Sequence, residues 1–344
     1  MMDRRSFLFR TGAGIGAAAL GLLLEPKLFA QARPSAKARR VIYLFQSGAP
    51  SQIDLFDHKP ELEKLHNKPV PESFIKGERF AFIKGVPKIL GSPYKFSQHG
   101  QNGAWFGETI PHIAGLADDI CLVRSLWTDQ FNHAPAELFL FTGSPRFGAA
   151  SMGSWLTYGL GSENQDLPGF VVLLSGGTDP TGGKSLWGSG FLPGVYQGVQ
   201  CRAAGDPILF ASNPPGMDRA SRRRSLDTLR ELNEAEARAF GDPETLTRIE
   251  QYELAYRMQI TVPEVFDIAK EPEPVRELYG AKPGQASFAN NCLLARRLVE
   301  KGVRFVQLFD WGWDIHGTGG IDDLLNAFPS KCQQVDRACY ALVQ

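Results

Sequence analysis

The residues best placed to do chemistry are Asp314 and His316, in Trp311-Gly312-Trp313-Asp314-Ile315-His316-Gly317. A neutral imidazole and a carboxylate brought to one focus by a turn suit a divalent ion such as zinc. The plainer alternative is a turn in which Asp314 bonds local backbone amides and His316 is simply exposed. A second candidate is Asp129-Gln130-Phe131-Asn132-His133-Ala134, just ahead of an apolar run closed by Thr142-Gly143. A histidine at a helix N-terminus meets N–H groups that attract phosphate or sulfate. It could serve as ligand, general acid/base or nucleophile. Alternatively, Asn132 caps the helix and His133 belongs to a polar first turn.

A third candidate is Gln46-Ser47-Gly48-Ala49-Pro50-Ser51-Gln52-Ile53-Asp54. Here Ser47 or Ser51 could bind an anion and Asp54 a metal, although neither serine has an identifiable base and a plain loop is the favoured reading. Other candidates carry less. Asp57, His58 and His66 read as surface, and Arg222-Arg223-Arg224 as a solvated helix face. The glycines of Ser175-Gly176-Gly177-Thr178 and Gly182-Gly183-Lys184 lack the spacing of a phosphate loop or a dinucleotide fingerprint.

Elements able to position these residues follow from the pattern of the chain. Short β-rich runs at Arg40–Phe45, Ile120–Val123, Gly169–Leu174 and Val303–Phe309 predict strands. Helices are expected over Ile110–Leu116, Ala134–Phe141, Ser151–Gly159, Ser287–Lys301 and Ile321–Leu342. The Arg-, Glu-, Leu- and Ala-rich stretch from Met217 to Lys270 reads as a helical insertion, about residues 217–270. Strands alternating with helices predict an α/β fold with a largely parallel sheet flanked by helices. In such sheets ligands gather at the carboxyl ends of the strands. The first and third candidate stretches directly follow such ends.

The first residues give an address. Arg4-Arg5-Ser6-Phe7-Leu8, the uncharged run Thr11–Leu24 and Ala30-Gln31-Ala32 have the order of a twin-arginine signal over residues 1–32. That predicts passage through the twin-arginine export machinery to a periplasmic or extracellular location. The apolar run is shorter than the roughly 20 residues a spanning helix needs, so no stable membrane anchor is expected. Residues 1–32 hold Arg4, Arg5, Arg10 and Lys27 against Asp3 and Glu25. Without them, the 37 basic and 37 acidic residues of the chain become 33 and 35. That balance argues against a nucleic-acid partner. The five cysteines, Cys121, Cys201, Cys292, Cys332 and Cys339, form neither a disulfide framework nor a zinc-finger pattern.

The chain resembles the DUF1501 family of exported, sulfatase-like proteins. The resemblance rests on Phe45–Asp57, Asn132-His133-Ala134-Pro135, Ser151-Met152-Gly153-Ser154-Trp155 and Gly312-Trp313-Asp314-Ile315-His316. It implies kinship with the alkaline phosphatase and sulfatase superfamily, hence an alkaline-phosphatase-like fold over residues 33–344, incomplete at the C-terminus. It also implies metal-assisted hydrolysis of a sulfate or phosphate ester, on a small molecule or a polysaccharide, with zinc, calcium or magnesium. Counting back from Thr142-Gly143, the superfamily's nucleophile position falls on His133 and its proline on Pro135, while Glu137 stands where sulfatases keep arginine. Asp314 and His316 resemble the metal ligands, and Asp54 a further one. Ser47 and Asn132 are implied as substrate contacts. Two departures weaken the comparison: no Ser, Thr or Cys stands at the nucleophile position, and Gln46 replaces an early metal-binding Asp. A non-catalytic extracytoplasmic binding or assembly protein on the same fold is the competing expectation.

Overall fold

Three runs of β-branched and aromatic residues, each apolar on both faces, make a buried parallel sheet. The computed structural model describes residues 37–77, 85–202, 207, 213, 216–241, 243–321 and 323–344. The twin-arginine stretch, residues 1–32, lies outside the described residues. Within Arg40–Gln344, strand β1 (Val41–Ser47) leads to the short helices α1 (Gln52–Leu55), α2 (Pro60–Lys64) and α3 (Glu72–Ile75). A hairpin of β2 (Phe96–His99) and β3 (Ala104–Gly107) and the single turn α4 (Pro111–Ala114) follow. Next come α5 (His133–Thr142), α6 (Met152–Leu160), β4 (Phe170–Ser175) and β5 (Val199–Cys201). The chain then runs through α7 (Arg219–Phe240), α8 (Pro243–Phe266), α9 (Glu273–Tyr279), α10 (Phe288–Glu300), β6 (Phe305–Trp311) and α11 (Ala327–Val343).

The four-stranded sheet has the order β1-β6-β4-β5 and every pairing in it is parallel. The last strand in sequence, β6, is thus inserted between β1 and β4. Its Asp310 pairs with Gln46 on one side and Ser175 on the other, which aligns the carboxyl ends of three strands. Side chains alternate between faces with the period of two that a strand imposes. Val171, Leu173, Val306 and Leu308 pack into a core with Leu293, Leu294 and Val335 of α10 and α11. Phe170, Val172, Phe305 and Phe309 pack on the other face with Leu138 and Phe141 of α5, joined by Tyr43 and Phe45.

Two expected elements differ. Ile120–Val123 is not a strand: four apolar residues are too few to hold a place without a sheet neighbour, and Val123 stays 58% exposed. The fourth strand is instead β5, three residues long and paired with β4. The last helix begins at Ala327, because Asp323 accepts hydrogen bonds from the backbone N–H groups of Gly320, Leu325 and Asn326 and holds the preceding residues in a turn. Among the described residues all five cysteines are free. Burial pushes the thiols of Cys201 and Cys339 up to about 12, and that of Cys332 up to about 11. No helix among the described residues is long and apolar enough to cross a membrane.

Candidate functional site

Strand β6 ends in a carboxylate that is part of the framework. Asp310 is 1% exposed. Its Oδ1 accepts from the Ser175 hydroxyl at 2.7 Å, and its Oδ2 accepts from Trp313 Nε1 at 2.9 Å and from Lys331 Nζ at 2.8 Å. Lys331, on α11, also donates to the Trp311 carbonyl at 2.7 Å. A buried ion pair of this kind is tolerable when further hydrogen bonds support it, and here both Asp310 oxygens accept and Lys331 has a second acceptor. The network ties β4, β6 and α11 together and fixes the indole of Trp313. Trp313 is itself buried and donates its backbone N–H to the Ser47 carbonyl at 3.1 Å.

Two glycines let neighbouring loops press against this exit. Gly48 has φ +103°, and a Cβ there would stand 2.3 Å from the Asp314 nitrogen. Gly176 has φ +87°, and its Cβ would stand 2.3 Å from the Trp311 carbonyl oxygen. Both positions combine a left-handed backbone with a contact that any side chain would break. The backbone of the residue after Trp313 is therefore held in place by the turn and by its neighbour.

That residue is Asp314. Its Oδ2 lies 3.3 Å from His133 Nε2, and its Oδ1 lies 2.6 Å from His316 Nε2. The first and second sequence candidates, far apart in the chain, thus meet on one carboxylate. The exposures are graded: about one third for His133 and Asp314, and 83% for the His316 side chain. Asp314 hydrogen-bonds the His316 imidazole and stands at ion-pair distance from His133, rather than bonding the backbone amides of its own turn. His133 opens α5, whose N-cap Asn132 is exposed and makes no side-chain cap hydrogen bond. The first-turn N–H groups of that helix therefore lack a side-chain cap, the condition in which a helix N-terminus takes an anion.

The third candidate stretch divides. Ser47 is fully buried at the end of the β1 row Val41, Tyr43, Phe45 that faces α5, and its Oγ has no hydrogen-bond partner. Asp54, 1% exposed, accepts from the Ser51 hydroxyl at 2.5 Å and the Ser92 hydroxyl at 2.6 Å. Its bonds join it to those serines and not to the His133–Asp314–His316 group.

A cavity of about 480 Å³ adjoins His133, with walls that include Phe45, Leu126, Trp127, Phe139 and Leu140. One further lining residue, Glu137, is 4% exposed. Its Oε2 accepts from the Thr181 hydroxyl at 2.8 Å and the Gly182 N–H at 2.7 Å, while its Oε1 is buried without a partner. Burial pushes the Glu137 carboxyl above its ordinary range, against the hydrogen bonds from Gly182 and Thr181 and the nearby charge of His133. Sequence reasoning passed over Asp310, Lys331 and the cavity role of Glu137. The one readable sign was a charged residue closing the apolar run of β6.

The donors of the Asp314 group suit a divalent ion in kind: two imidazole nitrogens and a carboxylate. They are not arrayed as a ready cage. Among the described residues no group of three or more His, Cys, Asp or Glu side chains is placed to hold a metal, and both imidazoles turn toward the carboxylate itself.

Fold and site together define an α/β protein with a charged, half-exposed cluster at the carboxyl edge of a parallel sheet. The DUF1501 family model, described as a protein of unknown function, matches residues 38–344, and the chain belongs to that family. No curated protein and no solved structure matches it.

Proposed function

We propose that the protein is a metal-assisted hydrolase of sulfate or phosphate esters, of alkaline-phosphatase-like fold, acting outside the cytoplasm. One observation carries the reading: His133, Asp314 and His316 converge where β6 and the uncapped N-terminus of α5 come together. Asp314 and His316, with His133 beside them, would hold the divalent ion. When bound, it would supply the positive charge that polarises an ester oxygen or lowers the pKa of a water. The protein's own groups then have distinct tasks. The first-turn N–H groups of α5 receive the anionic oxygens. Asp314 orients the His133 ring through Nε2, and His133 binds the anion or carries a proton between water and leaving oxygen. The buried Asp310–Lys331 pair keeps Trp313, and so the Asp314 backbone, in register. Asp54 would join the ion only by giving up its serine partners. Export in the folded state suits a chain that assembles such a site.

The experiment is turnover of 4-nitrophenyl sulfate and 4-nitrophenyl phosphate, with metal analysis of the purified protein. Cation-dependent release of 4-nitrophenol that falls at least a hundredfold in His316→Ala is expected. A protein that carries no metal, and whose activity His316→Ala leaves unchanged, contradicts the proposal. The second reading, a non-catalytic extracytoplasmic binding or assembly protein, draws on the imidazole at 133 in place of a hydroxyl or thiol nucleophile. It predicts sulfate or phosphate binding with no turnover.

A further inference from the structure

Helix α7 carries two lines of residues with the alternating three- and four-residue spacing of a coiled-coil seam. One runs through Arg223, Leu226, Arg230, Asn233 and Ala237 and packs on α8: Leu226 is buried, and Arg223 and Arg230 both bond Glu253. The other runs through Arg222, Ser225, Leu229, Leu232, Glu236 and Ala239, about 100° away round the helix. Leu229 is 41% and Leu232 62% exposed, with Ser225, Glu236 and Ala239 exposed beside them. Two leucines three apart on such a line are apolar surface that a neighbour would bury. The charges of α7 also run against its own dipole. From Arg219 to Leu229 there are four arginines and one aspartate, and from Arg230 to Phe240 three glutamates and two arginines. A helix alone favours acidic groups at its N-terminus and basic ones at its C-terminus. Glu253 accounts for Arg223 and Arg230, but not for Arg222, Arg224 or Glu236. An antiparallel neighbour with the same charge pattern sets the basic half of each helix on the acidic half of the other.

We infer that the exposed line of α7 is a contact between two copies of this chain, paired antiparallel about a two-fold axis that passes between Leu229 and Leu232. In that register Leu229 of each copy meets Leu232 of the other, and Ser225 meets Glu236. Each Glu236 then lies within one helical turn of both Arg222 and Arg224 on the opposite copy. The leucine centre is thus flanked by two equivalent clusters of opposite charge, as an isologous interface requires. A parallel pairing would instead set Arg222 on Arg222 and Glu236 on Glu236. A polyanion drawn to Arg222 and Arg224 would meet the acidic half of the same helix. Nothing in this contact depends on the hydrolase reading.

Sedimentation velocity of the purified protein tests this directly. At about 1–200 μM, the range that suits an interface of one helix pair, a monomer–dimer equilibrium is expected. Leu232→Asp should weaken the dimer at least about tenfold, because it puts a charge in the apolar centre. Glu236→Arg sets like charges against Arg222 and Arg224 and should weaken it about tenfold. Combining Glu236→Arg with Arg222→Glu and Arg224→Glu restores opposite signs, and should return the dissociation constant to within about threefold of wild type. Circular dichroism would confirm the fold of each variant. In a parallel dimer Glu236→Arg exchanges one like-charge contact for another, and little would change. A protein that stays monomeric over the whole range overturns the inference, whether or not it binds vesicles of anionic lipid. So does a dimer indifferent to Leu232→Asp or to Glu236→Arg, or one that the triple substitution fails to restore.

Discussion

Asp310 and Asp314 stand one on each side of the end of β6, and the protein treats them in opposite ways. Asp310 is buried and spends its oxygens on Ser175, Trp313 and Lys331. Asp314 is half-buried, hydrogen-bonded to the His316 imidazole and within ion-pair distance of His133. A carboxylate fixed by a lysine, an indole and a hydroxyl is committed to structure. One that meets only histidines at the protein surface remains available to a ligand. The rigid carboxylate positions the available one, since Trp313, which bonds the first, is the neighbour of the second.

The comparison can be broken in graded steps. Asp310→Ala leaves Lys331 buried without its partner, and should cost about 3–5 kcal/mol, read as a fall in the midpoint of urea unfolding. Asp314→Ala should cost under about 1 kcal/mol, since its partners are partly exposed. A similar loss at both positions would erase the distinction. Gly48→Ala adds a Cβ against the Asp314 backbone at a left-handed φ. We expect roughly 2–4 kcal/mol and a matching fall in any activity of the site.

Away from the sheet edge, Glu253 on α8 receives both nitrogens of Arg223 on α7, at 2.9 and 2.6 Å, and Arg230 at 2.7 Å. The hydrogen bonds from Arg223 hold its carboxyl below its ordinary value of 4.5, against the opposing effect of burial. Because the folded value is depressed, its stabilisation is present above the unfolded value and is lost as pH falls through the folded one. Glu253→Gln should therefore lower the melting temperature at pH 7, by about 1 kcal/mol of stability, and much less at pH 3. A deficit that is equal at both values would assign the pair no charge contribution. The smallest effect belongs to Ser47→Ala. Its buried Oγ has no partner, so removing it should change stability by less than about 0.5 kcal/mol or raise it slightly. A large loss would contradict the absence of a partner for the Ser47 hydroxyl.

Much of this was legible in the sequence, for definite reasons. The runs that became β1, β4 and β6 are apolar on both faces, which only a sheet covered on both sides permits. Asp314, His316 and His133 stood out because imidazoles and carboxylates sat beside glycines and helix starts. What could not be read is that they meet. His133 and Asp314 are brought together by the insertion of β6 between β1 and β4, a choice of strand order that no local pattern encodes. Asp310 was hidden by its own context, one acidic residue at the end of a strand whose partners, Ser175 and Lys331, lie on other elements. Ile120–Val123 misled for the converse reason: it is locally strand-like but finds no neighbour. Glu137 drew notice only as a departure from a related pattern, and its unpaired oxygen becomes visible once Thr181 and Gly182 are seen to occupy the other.

The most direct test of the site is calorimetric titration of the folded protein with Zn²⁺, alongside Mg²⁺ and Ca²⁺, in wild type, Asp314→Ala, His316→Ala and His133→Ala. The account predicts one saturable site for a divalent ion in wild type. Each substitution should weaken it at least tenfold, with melting temperatures little changed. No saturable binding of any of the three ions, or binding that all three substitutions leave intact, would contradict it.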